Sequence, residues 1–236
     1  MALAQLHREA QIGRETSHPN LIALLAANLN DETPHLVFPY VLGTSARQLL
    51  VCEQRIPIAF ALWVIRQASE ALEVLHRAGY RHGDIQPDNL LISPNWHVTV
   101  IDLGLARGAD EDANYHQQWL TGTLGYAAPE LFLAGSNVAP AADIYSLGAT
   151  LYEFVTGVRP DQSEANQRWK HERSGPSEGR YVDLKHLCPI ASTQLARLTR
   201  EMLASNPNQR PSLSQLIARL RRLEMFHLAD RSRMIA

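Results

Sequence analysis

Cysteine is nearly absent from the chain. Cys52 and Cys188 are the only two in 236 residues, and they lie far apart. That is too few for a disulfide framework or a cysteine zinc site, and it fits a reducing cytoplasm. No apolar run reaches membrane-spanning length, and the N-terminal "MALAQLHREAQ" carries charge by position 8, unlike a signal peptide. A strong excess of one charge is also missing. The formal net charge of −2 gives no reason to expect nucleic acid or an acidic membrane as a partner. Repeats and low-complexity tracts are lacking. Tryptophan is sparse: Trp63, Trp96, Trp119 and Trp169 are scattered as packing residues and form no stacking platform. The ten histidines include no close pair with metal-ligand spacing.

What is present is a large folded domain, with apolar residues at 45% of the chain. Residues 3 to 16 read as a helix with Leu3, Leu6 and Ala10 on one face, and "SHPN" (17–20) ends it. "LIALLAANL" and "HLVFPYVL" read as two strands around the turn-rich "NDETP". The periodicity over 58–79 predicts a long helix with Leu62, Ile65, Ala68, Leu72 and Leu75 buried and Gly79 closing it. "NLLI" and "HVTVID" are expected to pair around the turn "SPNW". From Pro140 onward the spacing is helical, in "PAADIYSLGATLYEFVTG", "STQLARLTREMLAS" and "SLSQLIARLRRLEMFHL", with "RLRR" as a solvated helix face. The acidic "GADEDAN" (108–114) and the polar stretch 163–181 read as loops. Strands come first and helices dominate later, so the fold class is α+β.

"HGDIQPDNLLI" (82–92) places an acid, Asp84, five residues before an amide, Asn89. Alone this proves little, since aspartates in turns mostly satisfy backbone groups. But the loop follows the long helix and precedes the strand pair, a second acid, Asp102, ends the next strand in "IDLG", and "GTLGYAAPE" (122–130) follows. These residues resemble the protein kinase family. By that resemblance Asp84 is the catalytic-loop acid that takes or orients the proton of the attacking hydroxyl, and Asn89 holds one magnesium. Asp102, in "DLG", bridges magnesium to the phosphates. Phosphoryl transfer is mainly positioning and charge neutralisation, so hard oxygen ligands at fixed spacing suit it.

The resemblance runs along nearly the whole chain in the right order. It makes Glu130 of "AAPE" the ion-pair partner of Arg210 in "NPNQRPS", and Asp143 of "DIYSLG" the brace of the catalytic loop. "LHREAQIGRETSHPNLI" matches the small-lobe helix, with Glu9 at its glutamate position. "LVFPYVLG" matches the hinge along the adenine pocket, with Phe38 as gatekeeper, Pro39 within it, Val41 as backbone partner of adenine and Leu91 as the adenine floor. His18 and His82 fall where structural hydrogen bonding is the family's use. Thr123 matches the threonine typical of Ser/Thr specificity. The implied cofactors are ATP and Mg²⁺, and the implied partner is a protein Ser/Thr hydroxyl. The "HGD" spelling also occurs in small-molecule kinases of the aminoglycoside and choline type, but "GTLGYAAPE", "DIYSLG" and "NPNQRP" favour the protein-substrate branch.

Three departures stand out. Gly83 replaces the loop arginine that reads an activation-loop phosphate, which makes Tyr115 and Thr121 exposed loop residues first and switch sites second. Gln86 replaces the loop lysine and brings a hydrogen bond without charge. No glycine-rich loop or strand lysine for Glu9 precedes the first helix. Each lost donor typically costs roughly 10²–10³ in rate, so a kinase at ~1–100 s⁻¹ would fall to at best on the order of 10⁻² s⁻¹. The expectation is a two-lobe fold: a partial small lobe at 1–42, a mostly helical large lobe at 43–228 and a tail at 229–236. Either the true start lies upstream of Met1, or a partner chain completes the small lobe. A catalytically dead binding module is the competing class.

Overall fold

The computed structural model describes residues 2–108, 125–132, 140–162 and 181–234. Tyr115, Trp119, Thr121, Thr123 and Trp169 lie outside the described residues, as do most of the acidic and polar loops. Helix α1 (Ala2–Glu15) leads into an antiparallel pair, β1 (Ala26–Asn28) and β2 (His35–Val37), with Ala27 opposite Leu36. These strands are much shorter than the apolar runs that suggested them. Asn20 and Ile22 are drawn onto the end of another strand instead: Ile22 N–H donates to Val100 O (2.9 Å) and Val100 N–H to Asn20 O (2.8 Å). At the far end Pro39 has no N–H to continue the ladder.

Strand β3 (Thr44–Ser45) and helix α2 (Ala46–Glu53), which the apolar pattern did not disclose, follow. Ser45 starts α2 with a capping box: Gln48 N–H donates to Ser45 Oγ at 3.3 Å, and Gln48 Oε1 accepts from Ser45 N–H at 3.0 Å. Helix α3 (Ile58–Arg77) is the long helix expected, and its five stripe residues are fully buried. Strands β4 (Tyr80–Arg81), β5 (Leu90–Ile92), β6 (Val98–Val100) and β7 (Arg107–Gly108) form a three-stranded sheet, β3-β5-β6, and a two-stranded ribbon, β4-β7. Leu90 pairs with Val100 and Ile92 with Val98.

Helix α4 (Ala141–Thr156) is the centre of the larger region. All its residues except Ala141 and Tyr145 are buried, so it has no broad solvent face, and its two acids, Asp143 and Glu153, are buried in hydrogen bonds. Helices α5 (Leu184–Leu187), α6 (Thr193–Met202) and α7 (Leu213–Met234) complete the fold, with α3 packed against both α4 and α7. Helix α7 runs through Met234. Among the described residues no helix is long and apolar enough to cross a membrane.

Two buried charges in this region organise the rest. Arg210, whose side chain is 0% exposed, forks onto Glu130 at 2.5 and 2.7 Å and also donates to Ala141 O and Ala204 O, both at 2.9 Å. The segment carrying Glu130 is thereby fixed to the start of α4. Asp143, in the first turn of α4, accepts from His82 N–H (2.8 Å), Gly83 N–H (2.9 Å) and His76 Nε2 (2.8 Å). Burial alone would raise its pKa. The His76 hydrogen bond and ring and the Gly83 N–H outweigh burial and hold the carboxyl at about 2.

Two outcomes follow from these contacts. Arg210→Met strands a buried carboxylate and should lower stability by about 3–5 kcal/mol. The double variant Arg210→Met/Glu130→Leu should recover most of that loss in thermal unfolding, and an equal loss in both would mean the pair acts through something other than charge. Asp143 titrates near 3.9 when unfolded, so its stabilisation is complete above that pH and disappears as pH falls through about 2. Urea unfolding from pH 7 to pH 2 should lose about 2 kcal/mol through this group. Asp143→Asn, less stable at pH 7, should show a shallower fall, and an unchanged slope would remove Asp143 from the acid transition.

Candidate active site

The loop 82–89 is built from the backbone outward. Gly83 sits at φ +83°, a conformation open mainly to glycine, and a Cβ there would lie 2.9 Å from Leu105 O and 3.0 Å from Arg81 Nη1. The glycine is therefore a backbone requirement of this loop as it stands. His82 is fully buried. Asp84 N–H donates to its Nδ1 at 3.3 Å, and its Nε2 lies 3.2 Å from Ile101 O. Burial lowers the His82 pKa despite the pull of Asp143, Asp84 and Asp102, so a neutral ring with its proton on Nε2 satisfies both bonds. This ring joins the loop to the residue before Asp102.

Asp84 is half-buried, and two neutral amides orient its carboxylate. Gln86 Nε2 and Asn89 Nδ2 each donate to Asp84 Oδ2 at 2.9 Å, and Asn89 Nδ2 also reaches Asp84 O at 2.8 Å. Pro87–Asn89 forms a short 3-10 turn that leads straight into β5. Gln86 thus aligns the acid, a contact that the lysine comparison did not anticipate. Asp102 is exposed at φ +66°, an unusual value for a non-glycine residue. Its Oδ1 accepts from Gly104 N–H at 3.1 Å. Glu9 of α1 reaches the same segment, its Oε1 accepting from Leu103 N–H at 3.3 Å. Burial raises the Glu9 pKa and the nearby Asp102 adds to this, with the Leu103 N–H working against both.

The structure therefore brings Asp84, Gln86, Asn89, Asp102 and Glu9 into one connected group. Phe38, Pro39 and Val41 make no hydrogen bond to that group among the described residues. They lie on the segment between β2 and β3, and β3-β5 pairing sets Leu91 opposite Ser45 at its end. Phe38, Val41 and Leu91 are half-buried, and Pro39 is exposed.

A second cluster escaped the sequence. Arg47 of α2 donates to Asp88 Oδ2 in the loop (3.1 Å) and to Glu153 Oε1 on α4 (2.8 Å), and it also bonds Tyr126 Oη. The Tyr126 hydroxyl in turn donates to Glu153. Burial opposes the Arg47 charge, but Glu153 and Tyr126 more than offset it and raise its pKa, while burial and Glu153 raise that of Tyr126. One cation thus ties α2, the 3-10 turn and α4 together. Positions 47, 88, 126 and 153 share no local pattern, so only the acid in "PDN" and the one in "YEF" could have hinted at it.

Known proteins fit this geometry. The family model described as protein kinase domain matches residues 2–220. The chain is 32% identical over 216 residues to serine/threonine-protein kinase PknB of Mycolicibacterium smegmatis, which covers 87% of this chain and 33% of that protein. It is 33% identical over 163 residues to serine/threonine-protein kinase PknA of Mycobacterium tuberculosis, covering 67% of this chain and 38% of that protein. The chain spans about a third of the length of the curated relatives it matches. A match over almost the whole chain, on a fold that joins the two acid-bearing loops, means that the chain belongs to the protein kinase family.

Proposed function

We propose that this chain transfers the γ-phosphoryl group of ATP to a serine or threonine hydroxyl of a protein. The observation that carries the reading is the junction of the two acid-bearing segments: His82 joins Asp84 to Ile101, and Glu9 holds Leu103 on the other side of Asp102. The names of the relatives agree with it. Two free thiols, one exposed at Cys52 and one buried at Cys188, suit a reducing cytoplasm.

Asp84 is the base. Gln86 and Asn89 hold one of its oxygens and leave the other for the incoming hydroxyl. Asn89 spends its amide N–H on Asp84, so its Oδ1 is available as a neutral oxygen ligand. Asp102 spends Oδ1 on Gly104, and among the described residues its Oδ2 accepts no hydrogen bond. Two hard oxygens of this kind fit a small oxygen-preferring cation. Bound by Asn89 and Asp102, Mg²⁺ would supply charge neutralisation for the phosphate oxygens. The Val41 N–H and C=O make no backbone hydrogen bond among the described residues, which suits them to the edge of adenine, with Phe38, Pro39 and Leu91 forming the apolar walls. Rigid alignment by neutral amides and a buried neutral imidazole lets the site work by position.

Asp102→Asn should abolish the magnesium dependence of nucleotide binding, read as the difference in ADP affinity with Mg²⁺ and with EDTA. If that difference persists, Asp102 is not a ligand. Asp84→Asn should leave Mg·ADP affinity within about twofold and cut transfer to a protein substrate by roughly 10²–10⁴. Full transfer by that variant would remove Asp84 from the chemistry.

A further inference from the structure

The ribbon β4-β7 joins the two acid-bearing segments: β4 runs into His82–Asp84, and β7 follows Asp102–Gly104. Its first residue, Tyr80, reaches out of this ribbon to α1. The Tyr80 hydroxyl donates to Glu15 Oε2 at 2.6 Å and accepts from Gln11 Nε2 at 3.2 Å, and Gln11 Nε2 also donates to Glu15 Oε1 at 3.1 Å. The bond to Tyr80, with help from Gln11, lowers the Glu15 pKa and keeps it an acceptor at neutral pH. The ring packs against the hydrophobic core, and its Cε1 lies 3.9 Å from where a Cβ on Gly108 would stand.

Helix α1 buries Ala10 and Ile12 in the core, and two hydrogen bonds set how it lies on the acid-bearing segments. Glu9 touches the backbone between Asp102 and Gly104, and the last turn is tied to β4 six residues further on, about 9 Å along the axis. Apolar packing at Ala10 and Ile12 is not directional, so by itself it leaves the helix some freedom to rotate about that contact. The two hydrogen bonds fix its direction, and with it the reach of Glu9. The Tyr80 contact is the shorter of the two, at 2.6 Å against 3.3 Å, and it is the exposed one, while the Glu9 contact is partly buried.

We propose that Tyr80 is a positioning residue: its hydroxyl clamps the C-terminal turn of α1 to the strand that enters the catalytic loop, and so holds Glu9 on the Asp102–Gly104 segment. The geometry of the clamp is independent of the proposed phosphotransfer, and its consequence for nucleotide binding rests on that reading.

Hydrogen exchange followed by mass spectrometry on the full chain separates the two. Tyr80→Phe removes one oxygen and keeps the ring. Amides in the last turns of α1 and the Leu103 amide should exchange roughly three- to tenfold faster, the range expected for losing one partly exposed hydrogen bond to a carboxylate. Global melting should barely move. Glu15→Gln should act in the same direction, and Tyr80→Phe/Glu15→Gln should exchange no faster than Tyr80→Phe alone, because the two groups share one bond. Mg·ADP should bind the Tyr80→Phe variant several-fold more weakly, with no further loss when Glu9→Gln is added. Faster exchange in α1 with an unchanged Leu103 amide would leave Tyr80 a merely structural contact and overturn the positioning role. Unchanged exchange at both places would overturn the clamp itself. Faster exchange at both, in a protein that binds no Mg·ADP at all, would uphold the clamp and refute the phosphotransfer reading.

Discussion

A carboxylate that is 1% exposed must be matched by donors or it will not stay charged. Asp143 is matched by two consecutive backbone N–H groups and an imidazole, and that requirement shapes the site. The donors at His82 and Gly83 are backbone atoms, so satisfying the carboxylate fixes the course of the chain where Asp84 begins. The third donor, His76, comes from the last turn of α3. The buried acid therefore binds α3 and α4 to the loop between them. Moving Asp84 relative to α4 would require breaking bonds to a buried charge, which is far more costly than turning a surface side chain.

Other ion pairs, one fully buried and one partly exposed, do similar work on neighbouring segments. Arg210 with Glu130 anchors residues 128–131, and Arg47 with Glu153 and Asp88 anchors the 3-10 turn below Asn89. A buried ion pair is poor evidence of net stability, because desolvation takes back much of the attraction. Here the geometric effect is plain. Each pair links a loop that carries a candidate site residue, or leads to one, to helix α4 or its first turn. Helix α4 itself has no broad solvent face and nowhere to move.

The parts legible in the sequence were those coded locally or by motif order. The stripe of α3 is one apolar residue every three or four positions, and its five residues are buried. Glu130 with Arg210, and Asp143 with the loop, were expected from family resemblance alone, since no periodicity links residues 80 or 60 positions apart. Helix α2 was missed because "RQLLVCE" reads as a short apolar run, although "SARQ" holds a capping box. The strands at 21–29 and 35–42 were overestimated because their apolar residues serve the larger region: Leu21 and Ile22 are buried beside β6. Arg47 with Glu153 and Tyr80 with Glu15 lie 106 and 65 residues apart, and neither pair repeats or alternates. Contacts of that kind exist only once the chain has folded.

Position 83 shows how far a substitution can be from what it suggests. Compared with the family, a glycine in place of arginine looks like a deleted charge. In the folded chain the glycine adopts φ +83°, and the space where its side chain would begin is closed by Leu105 O and by the guanidinium of Arg81. An arginine restored at 83 would meet a backbone carbonyl and a left-handed conformation that disfavours any Cβ. The positive charge has not left the neighbourhood, because Arg81 brings it from two residues earlier on β4, directly across from Arg107 on β7. Both side chains are buried, and Arg107 Nη1 donates to Ala106 O at 2.8 Å. The glycine at 83 leaves the loop free to follow Asp143. At 86 an amide aligns Asp84 in place of a lysine. In both places this loop relies on backbone shape and neutral hydrogen bonds in positions where the family resemblance led one to expect charge.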